Sequence, residues 1–294
     1  MSNSPTFEHP QVRQLLVLVV LLQLGAVGIF LLSEMLIWPA LDLTDPITTP
    51  ITYLLVFGSC SLWVAWQYRR HEIDLRSLIG PWPFPIQWRA IAGLWLTLFI
   101  FSIGSFQVSY ALLSFLFPGP VEVALRESIF LGAGETTFPW LYNTLFMGVL
   151  VIGAPVFEEF LFRGFLLHRW GTRWSPKVAV ILSSLVFGLL HGNVIGLSVF
   201  GLAMALLYLR SRSLGLVVVV HGLNNAIAAG LEIVTRLLDI DSTTSLETFR
   251  ANVGLGVLLL GLSTPLLIRF VWQNWQVTRA PLPYFAHRGN IPSP

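Results

Sequence analysis

Charge is what this sequence lacks. Of its 294 residues, 17 are Lys or Arg and 15 are Asp or Glu, 11% of the chain, where a soluble domain carries roughly 25%. That is too little polar surface to cover a core in water, which excludes a water-soluble enzyme. A hydrophobic content of 55% excludes a disordered chain. A net charge of +2, with Lys177 the one lysine, gives no basic patch for nucleic acid. Lys177 follows Pro176 in a polar turn, so it is rejected as a nucleophile. Cysteine is as scarce. Cys60 alone permits no intrachain disulfide and no metal site of the usual thiolate kind. His-Glu-x-x-His, Gly-x-Ser-Gly and Gly-x-Gly-Asp are also absent, which removes the hydrolytic chemistries those three motifs carry.

What remains is apolar runs. Eight of them, broken by polar or Pro/Gly clusters, cover roughly 14–37, 49–67, 89–117, 138–168, 177–192, 194–210, 214–236 and 252–273. The expected fold is therefore all-α, a polytopic membrane bundle of about eight transmembrane helices. It reads as one structural domain in three stretches. Residues 1–137 hold three spans and an outer loop, 138–236 hold four spans, and 237–294 hold the last span and a tail. The least secure boundary rests on Gly192-Asn193. Segment 118–137 is too long for a simple turn and suits a helix lying on the outer surface. Trp82, Trp88, Trp95, Trp170 and Trp174 read as interfacial anchors.

Basic residues mark cytoplasmic loops. With both termini inside, the inner side takes Arg13, Arg69, Arg70, Arg76, Arg89, Arg169, Arg173, Lys177, Arg210, Arg212, Arg269, Arg279 and Arg288. The outer side takes Arg126, Arg236 and Arg250, together with Glu122, Glu127, Glu135, Asp239, Asp241 and Glu247. That bias places both termini in the cytoplasm.

Ionisable groups within a span cost several kcal/mol and signal function. Spans one to three offer little beyond Glu34, and the chemistry concentrates in residues 150–235. In span four, Glu159 and Arg163 have the i,i+4 spacing and order of a helical ion pair. Glu158 lies about 100° round from Glu159 and has no local partner, so it is the carboxylate left for general base or acid work. Pro155 and Gly153 should loosen the helix just before it. In span five, Phe187 sits one turn before His191 and can pack under its ring. In span seven, His221 and Asn225 share a face. Each of these has a bland account as helix packing or an interhelical hydrogen bond, but three on three helices point into one bundle interior. Glu232, about 16 Å along the axis from His221, reads as a helix-packing residue. One free carboxylate, two histidines and a carboxamide could activate a water and stabilise an oxyanion. Glu158, His191 and His221 could equally be three zinc ligands with an open fourth position.

The ordered set Glu158-Glu159-x-x-x-Arg163, Phe187-x-x-x-His191 and His221-x-x-x-Asn225 resembles the CPBP family of intramembrane proteases. That family includes type II CAAX prenyl endopeptidases and the bacterial Abi proteins of bacteriocin processing and immunity. The resemblance covers about residues 138–235. It implies an endopeptidase in which Glu158 activates water. His191, His221 and Asn225 would position that water and the oxyanion or bind a metal, and Glu159, Arg163 and Phe187 would support them. The substrate would be a membrane-associated or prenylated CAAX-type peptide. It would arrive from the inner half of the bilayer, since His221 is about seven residues from the inner end of its span, whereas His191 lies near the outer end of its own. A proton-coupled transporter and a non-catalytic immunity or scaffold protein are the rival uses of the same residues.

Overall fold

A computed structural model describes residues 7–36, 44–126, 130, 132, 134–238 and 245–288. Glu127, Asp239 and Asp241 of the expected outer acidic loops, and the Arg236 side chain, lie outside them. Among the described residues there is helix and no strand. The eight main helices are α1 (Val12–Leu36), α2 (Thr48–Arg70), α3 (Trp88–Leu113), α4 (Pro139–Arg173), α5 (Pro176–Leu189), α6 (Val194–Ser211), α7 (Leu214–Leu237) and α8 (Val253–Asn274). Seven are long and apolar enough to cross a membrane. The exception is α5. Its 14 residues reach only about 21 Å against a hydrocarbon core of about 30 Å. The expected break at Gly192-Asn193 is real. The chain leaves α5 at Leu189, and the Asn193 side chain accepts from the Gly196 N–H to start α6. At the other end of α5, Ser175 caps the helix and Pro176 opens it, a strong start signal. Segment 118–137 does contain a short helix, Pro118–Arg126.

The bundle is held by apolar faces. Helix α3 packs along α8, α5 along α6, and α4 against α7. The core runs through Tyr68, Phe165, Leu167, Phe187, Met204, Leu206 and Val217, all under 2% exposed, while α1 and α8 turn most of their surface outward, as lipid-facing helices should. Asp45 ties the start of α2 to the start of α4. Its carboxylate accepts from Thr136 Oγ1 at 2.6 Å, the Thr137 N–H at 2.8 Å and the Ile47 N–H at 2.9 Å. Burial alone would raise the Asp45 pKa, but these hydrogen bonds outweigh it and hold it at about 2.

Trp95, expected as an interfacial anchor, also has a partner in the bundle. Its indole N–H donates to Asn224 Oδ1 at 3.1 Å, because an indole donor turned into the bundle needs an acceptor.

Three stretches wind as π-helix: Leu54–Gly58 in α2, and Val149–Gly153 and Phe160–Leu166 in α4. Such turns appear mostly at functional sites. They leave carbonyls without their usual donors, and side chains supply the loss. Tyr68 Oη donates to the Gly164 carbonyl at 3.0 Å, and His168 Nδ1 to that of Arg163 at 2.8 Å. The loosening expected at Gly153 and Pro155 is therefore a specific wide turn just ahead of Glu158.

Candidate active site

Helix α4 brings both carboxylates to the centre of the bundle. Glu159 is fully buried, and its Oε1 accepts from Arg163 Nη1 at 3.0 Å and from His221 Nδ1 at 2.8 Å. The other terminal nitrogen of Arg163 donates to the Gly201 carbonyl at 2.8 Å. The guanidinium also lies 4.9 Å from the ring centre of Phe187, a cation–π contact. The pair anticipated from the i,i+4 spacing thus also anchors a histidine of α7 and the backbone of α6.

Glu158 is held differently. Its Oε1 accepts from Tyr53 Oη of α2 at 2.8 Å. Its Oε2 is buried without a hydrogen-bond partner in the protein. That oxygen is 3.9 Å from His191 Nε2 and 3.9 Å from His221 Nε2.

The two imidazoles are fixed by their other nitrogens. His191 Nδ1 is 2.6 Å from the Phe187 carbonyl, which can only accept, so Nδ1 carries the proton. His221 Nδ1 donates to the Glu159 carboxylate by the same reasoning. Both Nε2 atoms are then left to face Glu158. Phe187 stacks beneath His191, centroids 4.6 Å apart and 29° between planes, and meets His221 edge-on at 5.9 Å. Phe200 flanks His221 at 5.1 Å.

Asn225 lies one helical turn beyond His221 on α7. Its Nδ2 donates to the Leu150 carbonyl of the π turn at 2.9 Å, and it makes no hydrogen bond to Glu158, His191 or His221. Helix α7 comes this close to α4 because Gly222 follows His221. A Cβ there would stand 2.8 Å from the Val151 carbonyl, the oxygen whose α-helical donor Pro155 cannot supply. Glu232, farther along α7, accepts from the Phe130 N–H at 3.1 Å.

Both Nε2 atoms flank one oxygen, so the two histidines share one depth. The mismatch expected from counting along the spans disappears because α7 begins inside the protein. Ser213 and Leu214 are buried. The α6–α7 turn lies under Gly80, whose φ of +72° admits it and where a Cβ would fall on the Arg212 carbonyl and His287. Tyr208 Oη fixes the same covering segment through the Leu78 carbonyl at 2.8 Å. Helix α5, conversely, is short. Of the three converging side chains, His191 is 32% exposed and Glu158 8%. Of the three, the side chain beside the α5–α6 turn is therefore the most exposed.

The donor set can be tested against zinc. Two atoms 3.9 Å apart subtend about 90° at a water hydrogen-bonded to both at about 2.8 Å. At a zinc ion with bonds of about 2.1 Å they would subtend about 135°, far from tetrahedral. Among the described residues no group of three or more His, Cys, Asp or Glu is placed to hold a metal. The arrangement fits a water and not a tetrahedral metal.

Tyr53 was not anticipated. Spans one to three seemed to offer little, yet a phenol within an apolar helix needs a partner, and that was the available signal.

Residues 138–227 match the family described as Type II CAAX prenyl endopeptidase Rce1-like. The likeness is confined to that segment of the chain. The matched stretch contains Glu158, Glu159, Arg163, Phe187, His191, His221 and Asn225. No curated protein and no solved structure matches the chain. With seven helices long and apolar enough to cross a membrane, that likeness supports an integral membrane protein of the CAAX-protease type.

Proposed function

We propose that the chain hydrolyses a peptide bond of a membrane-associated substrate with a water activated by Glu158 and without a metal ion. The observation that carries this reading is the unpartnered, buried Oε2 of Glu158, flanked at 3.9 Å by two imidazole Nε2 atoms. A water held there donates one O–H to Oε2 and the other to the Nε2 of His191 or His221, each of which carries its proton on Nδ1. As its oxygen bonds to the carbonyl carbon, its proton passes to Oε2 and the carbonyl becomes an oxyanion. On collapse the C–N bond breaks, and Glu158 returns the proton to the leaving nitrogen. Glu159 and Arg163 hold His221, Phe187 holds His191, and the second N–H of the Asn225 carboxamide is the donor for the oxyanion. The polar groups gather at one point and form no file across the bundle, which favours hydrolysis over a proton relay.

The substrate class is a prenylated CAAX-type peptide, reaching the site laterally past the α5–α6 turn. Detergent-purified protein should release the C-terminal tripeptide from such a peptide, read by mass spectrometry, at the same rate with and without chelator. Loss of cleavage on chelation, restored by zinc, would overturn the metal-free mechanism. Absence of any cleavage would overturn the substrate. Both termini face the cytoplasm in this reading, on the strength of the arginine bias. A reporter that is active only outside the cytoplasm, fused after Pro294, should stay silent.

A further inference from the structure

We propose that Tyr53 is the positioning residue of the general base: its hydroxyl holds Glu158 Oε1 so that Oε2 alone takes the proton from water. This rests on the hydrolytic reading above. Tyr53 stands where α2 changes from α- to π-helical winding at Leu54. Its ring is stacked on Phe57, centroids 4.4 Å apart and planes within 8°, which limits the phenol to one direction. Along that direction it meets Glu158 at 2.8 Å across a separation of 105 residues. The contact crosses between helices that are themselves fixed at their starts by Asp45.

The chemistry follows from the geometry. A carboxylate with two equivalent free oxygens can rotate and offer either to the water. With Oε1 engaged by a donor, rotation is arrested and Oε2 stays between the two Nε2 atoms. The charged and titratable groups around Glu158 are all accounted for by element. Tyr53 comes from α2, Glu159 and Arg163 from α4 itself, His191 from the end of α5 and His221 from α7. Of these, only Tyr53 hydrogen-bonds to Glu158. Removing the hydroxyl therefore leaves every other charge in place.

The test is the infrared carboxylate stretch of Glu158, taken at one pH as the difference between each protein and its Glu158→Gln counterpart. Tyr53→Phe keeps the ring and its stack on Phe57, and the band should shift as the hydrogen bond to Oε1 is lost. Site-specific 3-fluorotyrosine at position 53 keeps the size but donates more strongly, and the band should shift in the opposite sense. With a prenylated CAAX peptide, kcat of Tyr53→Phe should drop about tenfold with little change in KM. A band that neither change moves overturns the proposal. So does a lower kcat with the band in place, which would mark Tyr53 as a packing residue. Should Tyr53→Phe not fold, the fluorinated residue decides alone. Silence of the wild type on the peptide would count against the protease reading, while the infrared band still decides the role of Tyr53.

Discussion

Glu158→Gln is expected to lower cleavage of a prenylated CAAX peptide by roughly 10³-fold, within the range a positioned general base contributes, with KM nearly unchanged. The amide keeps the size of the side chain and an oxygen for Tyr53, but it cannot take a proton. Glu159→Gln should cost less, on the order of 10- to 100-fold, because the adjacent carboxylate acts through other groups. Its Oε1 already accepts from Arg163 and His221, and the glutamine oxygen can still accept from both. The two variants separate the roles of two neighbouring residues that sequence spacing alone only suggests. Wild-type rates in Glu158→Gln would show that the proton goes elsewhere. A deeper loss in Glu159→Gln than in Glu158→Gln would reverse the assignment.

The second large effect is on stability. Arg163 is 1% exposed and lies between Glu159, the Gly201 carbonyl and the face of Phe187. Arg163→Met removes the cation and leaves Glu159 charged and buried with His221 as its remaining donor. Breaking a buried pair by deleting one partner costs about 3–5 kcal/mol. The variant should either fail to accumulate or melt on the order of 10 °C lower in detergent. The double variant Glu159→Gln/Arg163→Met should recover much of that loss, since no uncompensated charge remains. Activity should return no further than that of Glu159→Gln alone, because the glutamine oxygen still accepts from His221 Nδ1 but without the charge of the carboxylate. A single Arg163→Met variant that melts like the wild type would mean that the ion pair contributes nothing net to the fold.

These expectations treat Glu159 and Arg163 as a frame and Glu158 as the reacting group, and the physical basis is position: each carboxylate keeps one buried oxygen without a hydrogen-bond partner, and it is that of Glu158 that lies between two imidazole Nε2 atoms. Within one helix turn, one carboxylate has an oxygen that takes two donors. The other gives one oxygen to a phenol and turns its second toward two imidazole nitrogens. The wide turns at Val149–Gly153 and Phe160–Leu166 bracket this pair. An unbroken α-helix would hold Glu158 and Glu159 about 100° apart with no freedom to adjust their distance from α2 and α7. The π turns change that phase on both sides, at the cost of carbonyls that Asn225, Tyr68 and His168 then satisfy. On this account Asn225 has two duties, one to the backbone of α4 and a proposed one to the oxyanion.

The sequence by itself determined the membrane bundle, because 11% charge and 55% apolar content leave no other way to hide the chain from water. It also determined the Glu159–Arg163 pair and the packing of Phe187 under His191, since both are contacts one helical turn apart and follow from the 3.6-residue period. Helix ends at Ser175-Pro176 and Asn193 were legible for the same local reason. Only the tertiary structure decided that Tyr53 reaches Glu158, that Trp95 turns inward to Asn224, and that His221 rests on Glu159. It alone placed the α6–α7 turn inside the protein and left His191 the most exposed of the three converging side chains. These depend on which helices lie side by side and at what depth. Apolar periodicity states only that a face is buried, not which neighbour buries it.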